Sequence, residues 1–240
     1  YKESDFTGVT MFGRYPLILV TGQTGPRSLG ELLEKARAQP ASPVPPERSE
    51  APKGNPLLGR EKIDSERCQE CHGIDGQGAG HANGAEGKFA KLAGQDAAYL
   101  VKQMQDFRSG ARKHDQMAIM ARSVSDEDVR DISAYFASLP AMKGEPDPKA
   151  AAASAIGQRL HEQGDATRGV LACASCHSPQ AQGAALAPRI AGQEWRYLDK
   201  QLRDWRSGDR KNSPDGVMNK ALAPLTDTEI EALAMHLASQ

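Results

Sequence analysis

All four cysteines of this 240-residue chain lie in two copies of one five-residue pattern. The copies are Cys68-Gln-Glu-Cys71-His72 and Cys173-Ala-Ser-Cys176-His177. Two thiols three residues apart on one helical turn can reach the two vinyl groups at one edge of a porphyrin, and the histidine that follows can bind the iron. C-x-x-C-H is the attachment signature of c-type haem. The pattern therefore predicts two covalently bound haem c groups, with the four thiols as attachment points.

Three other uses of the cysteines fit the sequence less well. Two disulfides closed within the C-x-x-C loops would be strained and would leave both adjacent histidines without a role. A four-cysteine zinc site would have to join the pairs across about a hundred residues, far outside the usual spacing of zinc ligands. A thioredoxin-like redox pair needs a strand–helix–strand context, which the flanking sequence lacks.

The composition agrees with a non-protein group in the core. Only 39% of the residues are hydrophobic and 5% are aromatic, and the mean hydropathy is −0.58. Such a chain has little apolar surface to offset the entropy lost on folding, and buried porphyrins would supply the missing apolar volume. The net charge of −1, from 30 basic and 31 acidic residues, does not favour nucleic acid as a partner.

No stretch of the sequence predicts a membrane span. The most hydrophobic stretch, residues 16–20, is much shorter than the ~20 residues that a spanning helix needs. The chain opens on Tyr1 without the basic and apolar regions of a signal peptide, so we expect that a signal peptide is absent from this chain or was removed. Because haem c is attached outside the cytoplasmic membrane, we expect a periplasmic protein.

A twenty-residue block downstream of each motif indicates that the chain contains a duplicated domain. Residues 94–113 match residues 192–211 at twelve of the twenty positions. In each block apolar residues at i, i+4 and i+7 indicate an amphipathic helix, which a glycine then ends. Each unit closes with a further helix, for which Ser125 and Thr226 are the predicted N-caps. The apolar residues and glycines are Leu100, Met104, Phe107 and Gly110 in the first block, and Leu198, Leu202, Trp205 and Gly208 in the second.

The repeats divide the chain into four parts. Residues 1–56 belong to neither repeat, and they contain a predicted strand pair (residues 9–12 and 17–21), a short helix (28–38) and a proline-rich segment that should act as an extended spacer. The first haem domain is predicted over residues 57–143, a linker over 144–152 and the second haem domain over 153–240. Each haem domain is small for a core without a cofactor.

The second axial ligand of each haem iron separates electron carriers from enzymes. Methionine is the candidate ligand, because no cysteine remains and the two units share no further histidine position. The methionine candidates are Met104, Met117 and Met120 in the first unit, and Met218 and Met235 in the second.

Repeat position selects one methionine in each unit. Met117 and Met218 both stand eight residues before the predicted cap of the closing helix. Met104 aligns with a leucine of the amphipathic helix and Met235 lies inside the closing helix, so both are interpreted as packing residues. Met120 has no equivalent methionine in the second unit and stays the alternative ligand of the first.

The remaining histidines and two arginines receive different interpretations. Four histidines align with no histidine in the other repeat and are interpreted as ordinary surface or half-buried residues: His81, His114, His161 and His236. Arg112 and Arg210, by contrast, occupy equivalent positions shortly before the loop that carries the ligand methionine. A guanidinium group there could pair with a haem propionate, and a plain surface role fits the sequence equally well.

Together these features resemble the dihaem cytochrome c4 family, which has two class I cytochrome c domains in tandem. The resemblance covers about residues 57–240. It implies a mainly α-helical fold, the axial pairs His72 with Met117 and His177 with Met218, and domains related by a pseudo-two-fold axis with their haem edges facing each other. The features that carry it are the two C-x-x-C-H motifs, Leu92-Ala-Gly-Gln95 and Ile190-Ala-Gly-Gln193, the two Tyr-Leu-x-Lys-Gln helices, and Gly157-Gln-Arg-Leu160 with Gly164-Asp165.

Two features depart from the family pattern. The family commonly has a proline whose carbonyl accepts a hydrogen bond from the proximal histidine; the second domain keeps it as Pro188, whereas the first has Ala90. Ala90 still offers a carbonyl on a less constrained loop, so we expect the two haems to differ in reduction potential. Residues 1–56 have no equivalent in the family.

Methionine on both irons predicts electron transfer rather than catalysis, because it leaves no position for a substrate. The alternative is a dihaem enzyme such as a peroxidase or a sulfur-compound oxidoreductase, which would need an open or unusually ligated iron. The expected partners are a dehydrogenase as donor and an oxidase or another cytochrome as acceptor. A free shuttle and a subunit held in a stable complex through residues 1–56 are both compatible with the sequence.

Overall fold

The structure is a computed structural model, and it describes residues 53–78, 89–144, 150–183 and 187–240. Within these residues there is no β-sheet, and an isolated antiparallel bridge joins Asp165 and Val170. The strand pair and short helix predicted within residues 1–56 lie outside the described residues. No helix within the described ranges has both the length and the apolar character needed to cross a membrane.

The first haem domain is built from five described helices. α1 packs against α5, and α3 packs against both α4 and α5. The core between them is small and includes Ile63, Leu100 and Phe136. The helices are α1 (Pro56–Ser65), α2 (Gln69–His72), α3 (Ala97–Ser109), α4 (Asp115–Ser123) and α5 (Asp126–Ser138).

The second haem domain repeats this arrangement, so the duplicated sequence is a duplicated fold. α6 packs against α10, and α8 packs against both α9 and α10. α6 begins at Ala150, inside the predicted linker of residues 144–152. The helices are α6 (Ala150–Glu162), α7 (Ala174–His177), α8 (Trp195–Ser207), α9 (Val217–Leu222) and α10 (Asp227–Ala238), with 3₁₀ turns at Ala166–Arg168 and Pro214–Gly216.

The predicted amphipathic helices are confirmed as α3 and α8. Leu100 and Phe107 of α3 are buried, as are all three apolar residues predicted for α8. Each helix ends at a glycine with positive φ, 81° at Gly110 and 83° at Gly208. Glycine adopts this left-handed conformation without the steric penalty of a side chain, which explains why both helices stop there.

The closing helices α5 and α10 begin at the predicted caps. The Ser125 hydroxyl accepts a hydrogen bond from the Asp128 N–H at 3.1 Å. Thr226 accepts one from the Glu229 N–H at 3.3 Å, and the Glu229 carboxylate accepts one from the Thr226 N–H at 2.9 Å. The second cap is therefore a full capping box, which satisfies two N–H groups that the helix itself leaves unpaired.

Glycines allow the first and last helices of each domain to cross at backbone contact. A Cβ added at Gly59 in α1 would lie 2.0 Å from the Asp131 carbonyl oxygen in α5. A Cβ added at Gly157 in α6 would lie 2.3 Å from the Ala232 carbonyl oxygen in α10. Both crossings therefore require glycine.

Candidate haem-binding sites

The first C-x-x-C-H segment forms a single helical turn. Cys68 is the N-cap of α2 and His72 is its last residue, and the His72 N–H donates to the Cys68 carbonyl at 3.0 Å. Cys68 and Cys71 are free thiols, both half-buried. The turn thus brings two thiols and an imidazole together on five consecutive residues, as attachment of a porphyrin requires.

The second segment forms the same turn. The His177 N–H donates to the Cys173 carbonyl at 2.9 Å, and Cys173 and Cys176 are free thiols. Burial raises the pKa of the Cys68 and Cys173 thiols to about 11. Before attachment, these first thiols of the two motifs are therefore neutral at pH 7, which suits an apolar surface such as a porphyrin edge.

Both motif histidines have one ring nitrogen held by a backbone carbonyl. Nδ1 of His72 lies 2.8 Å from the Ala90 carbonyl oxygen, and Nδ1 of His177 lies 2.8 Å from that of Pro188. Burial lowers the pKa of both imidazoles, so the rings are neutral. A neutral ring that donates from Nδ1 keeps the Nε2 lone pair for a metal, so these residues fit an axial role. Alanine in place of proline leaves the distance unchanged, and the difference in haem potential stays a prediction.

The candidate methionines lie on short helices rather than in the loop that the sequence suggested. Met117 is in the first turn of α4 and Met218 in the first turn of α9, and both are half-buried. In both helices a preceding side chain accepts from the methionine N–H, His114 Nδ1 at 3.3 Å and Ser213 Oγ at 3.2 Å. His114 is the N-cap of α4, whereas the N-cap of α9 is Gly216, which makes no side-chain capping bond. The shared contact to the methionine N–H supports the pairing of the two methionines, although Met120, also half-buried on α4, stays the alternative.

Arg112 and Arg210 lie in a buried polar network between the two domains. Each is 7% exposed, so the surface role is excluded. Each guanidinium group donates to a tyrosine and a glutamine of the other domain: Arg112 to Tyr197 (2.9 Å) and Gln201 (2.6 Å), and Arg210 to Tyr99 (3.2 Å) and Gln103 (3.1 Å). A two-fold axis produces this reciprocal exchange of contacts, and the predicted pseudo-two-fold relation is confirmed.

The hydrogen-bond acceptors around both guanidinium groups are neutral amide and hydroxyl oxygens. Each group also lies over an aromatic ring, Arg112 4.6 Å from the Phe107 centroid and Arg210 4.4 Å from the Trp205 centroid. A buried cation is costly unless an anion or several hydrogen bonds compensate it. Haem carries two propionates, so anions at this place fit the arginines, and the propionate contact stays a prediction.

Two of the four remaining histidines are buried rather than exposed or half-buried as expected. His161 is 2% and His236 5% exposed, and their ring centroids lie 5.7 Å apart where α6 crosses α10. The absence of a histidine in the other repeat does not make a position superficial, because a core position can change residue type. His114 is exposed at the start of α4, as expected, and His81 lies outside the described residues.

Sequence analysis did not predict the contacts that join the domains. The glutamines of the two Ala-Gly-Gln segments, Gln95 and Gln193, reach into the opposite domain and are 5% exposed. The available signal was that both positions belong to the twelve identical positions of the repeat. Identity alone did not show which partner each glutamine has.

The fold and the two sites define a c-type cytochrome with two helical domains, each of which offers a C-x-x-C-H turn and an oriented histidine. The Cytochrome c family model matches residues 58–140 and 154–240. These ranges cover more than half of the chain, one in each repeat. Both predicted domains are therefore cytochrome c domains.

Comparison with solved structures and curated proteins narrows the class, and the chain belongs to the dihaem cytochrome c4 family. Reduced cytochrome c4 from Pseudomonas stutzeri has a similar fold, with a TM-score of 0.69 and 35% identity over 78% of this chain and 98% of that one. A thiosulfate dehydrogenase electron acceptor from Stutzerimonas stutzeri (strain A1501) is 37% identical over 173 residues, 72% of this chain and 78% of the relative. A thiosulfate dehydrogenase from Marichromatium purpuratum matches 77% of this chain and 40% of its own, with a TM-score of 0.66 and 36% identity.

The chain is therefore an electron carrier with two covalently bound haem c groups, and the sequence prediction of electron transfer is confirmed. When bound, haem iron supplies a one-electron couple between the ferric and ferrous states. The protein's own residues supply four free thiols for attachment, and loop carbonyls hold the Nδ1 atoms of both motif histidines. The curated relatives are an electron acceptor and cytochromes c4, and the thiosulfate dehydrogenase is matched over only 40% of its length, so the comparisons favour an electron carrier over the enzymatic alternative.

Proposed function

We propose that this chain accepts electrons one at a time from a periplasmic thiosulfate dehydrogenase and passes them to a further redox protein. The observation that carries the proposal is the repetition of one histidine geometry, with Nδ1 2.8 Å from a loop carbonyl in both domains. Residues 51–240 form one compact unit, so both sites keep a defined relation to each other. Two equivalent sites in one unit suit the passage of electrons from a donor at one domain to an acceptor at the other.

His72 with Met117 and His177 with Met218 are the proposed axial pairs. With the histidine, the methionine thioether would complete the coordination of the iron and leave no position for a substrate. Arg112 and Arg210 are proposed to face the haem propionates, because both are buried and have neutral acceptors. In each proposed site the iron would have no open coordination position, and electrons would be exchanged through the edge of the haem.

The names of two similar proteins support the choice of donor. One relative is a thiosulfate dehydrogenase electron acceptor, and one structure that this chain resembles over 40% of its length is a thiosulfate dehydrogenase. A domain pair of this kind can therefore occur beside a thiosulfate-oxidising centre. The acceptor side is proposed only as a redox protein, such as an oxidase or another cytochrome.

Rapid mixing of the oxidised holoprotein tests the donor directly. We expect both haems to be reduced when thiosulfate and thiosulfate dehydrogenase are present together, as followed at the visible absorption bands of ferrous haem. Thiosulfate alone should reduce neither haem, because the proposed methionine ligands would leave no coordination position for a substrate. Reduction by thiosulfate without the dehydrogenase would show that the chain is an enzyme, and no reduction with all components would exclude this donor.

Residues 1–56 are proposed to hold the chain on its dehydrogenase, and residues 1–52 of them lie outside the described residues. The proline-rich spacer could span on the order of 40–50 Å when extended, enough to place an apolar segment on a separate subunit. The alternative is that this segment packs on the first haem domain and shields its haem. In the first case the extension stabilises the complex with the dehydrogenase, and in the second it stabilises the first haem domain.

Removal of residues 1–50 separates these possibilities, and the structure shows where to cut. The Asn55 N–H donates to Asp131 Oδ1 at 2.7 Å, and the Asn55 side chain accepts from the Leu57 N–H at 3.0 Å, so the start of α1 stays anchored. The truncated protein should keep both haem spectra and its melting temperature but lose co-purification with the dehydrogenase. A melting temperature several degrees lower, with the partner still bound, would contradict the docking role.

A further inference from the structure

The two loops that hold the motif histidines lie against the opposite domains. Each loop carries the carbonyl that faces a histidine, at Ala90 in the first domain and Pro188 in the second. The next residue of each loop, Lys91 or Arg189, is hydrogen-bonded through its backbone to a glutamine of the other domain. The interface is thus in direct contact with the groups that orient both histidines.

Gln95 of the first domain forms two hydrogen bonds with Arg189 of the second. Its Nε2 donates to the Arg189 carbonyl at 2.9 Å, and its Oε1 accepts from the Arg189 N–H at 2.9 Å. Gln193 of the second domain does the same with Lys91 of the first, at 2.9 Å and 2.7 Å. Both glutamines are 5% exposed, so water competes little for these bonds.

Each carboxamide is held in one orientation. Oε1 of Gln95 also accepts from the Asp96 N–H at 3.0 Å, and Oε1 of Gln193 accepts from the Glu194 N–H at 3.0 Å. If either amide were turned over, its NH₂ group would face two N–H donors and its oxygen would face a carbonyl. The glutamines therefore act as rigid links between the domains.

A single peptide group connects Gln95 to the histidine of the second domain. The Pro188 carbonyl and the Arg189 N–H belong to the same planar peptide unit. The His177 ring donates to that carbonyl at 2.8 Å, and the N–H on the other side of the unit donates to Gln95 at 2.9 Å. Hydrogen bonds in series polarise one another, so the bond to the N–H makes the carbonyl a stronger acceptor.

The histidine of the first domain has an equivalent series of hydrogen bonds, which ends at Gln193 of the second domain. The His72 ring donates to the Ala90 carbonyl at 2.8 Å, and the Lys91 N–H of the same peptide unit donates to Gln193 at 2.7 Å. The bond to Gln193 also fixes a loop in which alanine has replaced the proline of the second domain. The two series therefore cross the interface in both directions.

We infer that Gln95 and Gln193 are positioning residues, each of which sets the hydrogen bond on the motif histidine of the opposite domain. The inference rests on the proposed axial role of His72 and His177. A proximal histidine with a stronger acceptor at Nδ1 is a stronger donor to its metal, which favours the ferric state. Each domain thereby lowers the reduction potential of the haem in the other.

Gln95→Met and Gln193→Met in the holoprotein test this crossed dependence. Methionine keeps the length of the side chain but has no amide group. Gln95→Met should raise the ratio of reduced to oxidised second haem about threefold at a fixed ambient potential, or about 30 mV at 59 mV per tenfold change, and leave the first haem unchanged. Gln193→Met should act on the first haem alone. A redox titration followed by NMR resolves the two haems.

Solvent exchange of the ring Nδ1–H in the reduced protein gives a second readout that does not depend on the potential. Gln95→Met should speed exchange at His177 and not at His72. Gln95→Glu keeps an acceptor oxygen for the Arg189 N–H and should restore slow exchange. Tyr99→Phe removes a different contact of the same interface, the one to Arg210, and should leave both exchange rates unchanged.

Potential shifts in the variant's own domain, equal shifts in both haems, or no shift in either would overturn the inference. Where Gln95→Met does not fold, Gln95→Asn, which is one methylene shorter, should produce the same crossed shift. The wild-type spectrum tests the underlying assignment separately, because axial histidine rings must carry the shifts of a metal ligand. Their absence would overturn the axial assignment and, with it, the inference.

Discussion

The two haem domains share one histidine geometry but differ where their first and last helices cross. In the first domain, Ile63 is fully buried at the crossing of α1 and α5, and Tyr135 packs against the same core while its hydroxyl donates to the Ile74 carbonyl at 2.8 Å. The second domain has His161 and His236 at the equivalent crossing. Nε2 of His161 and Nδ1 of His236 are buried with no hydrogen-bond partner among the described residues.

Equivalence of these positions follows from the glycines of the crossings. Ile63 and His161 both stand four residues after the crossing glycine, Gly59 or Gly157. A Cβ on that glycine would meet the Cβ of Tyr135 in one domain and of His236 in the other. An unsatisfied buried polar group costs about 1–3 kcal/mol, so the second domain carries a cost that the first avoids. The two domains therefore share the geometry of the motif histidine but differ in the residues at the crossing of their first and last helices.

Loss of an axial methionine should give the largest effect, and it should be the same in both domains. Met117→Ala and Met218→Ala should each remove about half of the weak near-infrared charge-transfer band that marks methionine bound to ferric iron, because each is proposed to supply one of two such bonds. Met120→Ala is the matched control on α4 and should leave the band intact. If Met120→Ala removes the band instead, the two repeats are not equivalent at this helix.

Substitution of the glycines at the helix crossings should have a smaller effect. Gly59→Ala and Gly157→Ala introduce a Cβ 2.0 Å and 2.3 Å from a backbone oxygen, and the helices must move apart. We expect a loss of about 1–3 kcal/mol in the free energy of unfolding in each case, measured by chemical denaturation. Glu61→Ala, at an exposed position of α1, is the control and should be close to neutral. A neutral glycine variant would mean that the crossing is looser in that domain.

The two domains should also differ in their stability at acidic pH, and this difference should be smaller than the effects above. Burial lowers the pKa of His161 and His236 below their usual value, with the negative charge of Glu162 acting in the opposite direction. The unfolded chain therefore binds these protons more readily. The second domain therefore keeps its full stability above about pH 6.5, where both histidines are neutral, and loses stability as the pH falls below that value. The second domain should unfold at a higher pH than the first.

Tryptophan fluorescence reports this transition, because both tryptophans of the chain, Trp195 and Trp205, lie in the second domain. The double variant His161→Ile with His236→Tyr copies the residues of the first domain and should move the fluorescence transition to lower pH. His114→Ala, which changes an exposed histidine, should not move it. An unchanged transition in the double variant would show that the histidine pair does not set the acid stability.

The sequence predicted the parts of the molecule that depend on neighbouring residues. Apolar spacing identified α3 and α8, and the glycines and hydroxyl caps located the ends of helices, because these signals act within one or two turns. The role of the carbonyls at Ala90 and Pro188 came from a family resemblance, and both carbonyls lie at the expected histidine nitrogen. The methionine helices were missed because α4 begins at a histidine, His114, rather than at one of the usual Ser, Thr, Asp or Asn caps, and α9 begins at Gly216 without a side-chain capping bond.

The contacts between domains could not be predicted, because they join residues about a hundred positions apart. Gln95 meets Arg189 across 94 positions, and Gln193 meets Lys91 across 102. A repeat shows that two segments share a structure, but it does not show which surfaces of the two copies face each other. Burial of His161 and His236 was missed for a related reason, since a polar residue type hides a core position.

The reciprocal interface has the form of a symmetric dimer whose two halves belong to one chain. In a dimer of separate subunits, the fraction associated would fall as the protein is diluted. Here the covalent connection keeps the local concentration of each half constant, so the bonds of Gln95 and Gln193 form at any dilution. Two haem domains joined in this way stay paired even in a cell that makes only a few copies of the chain.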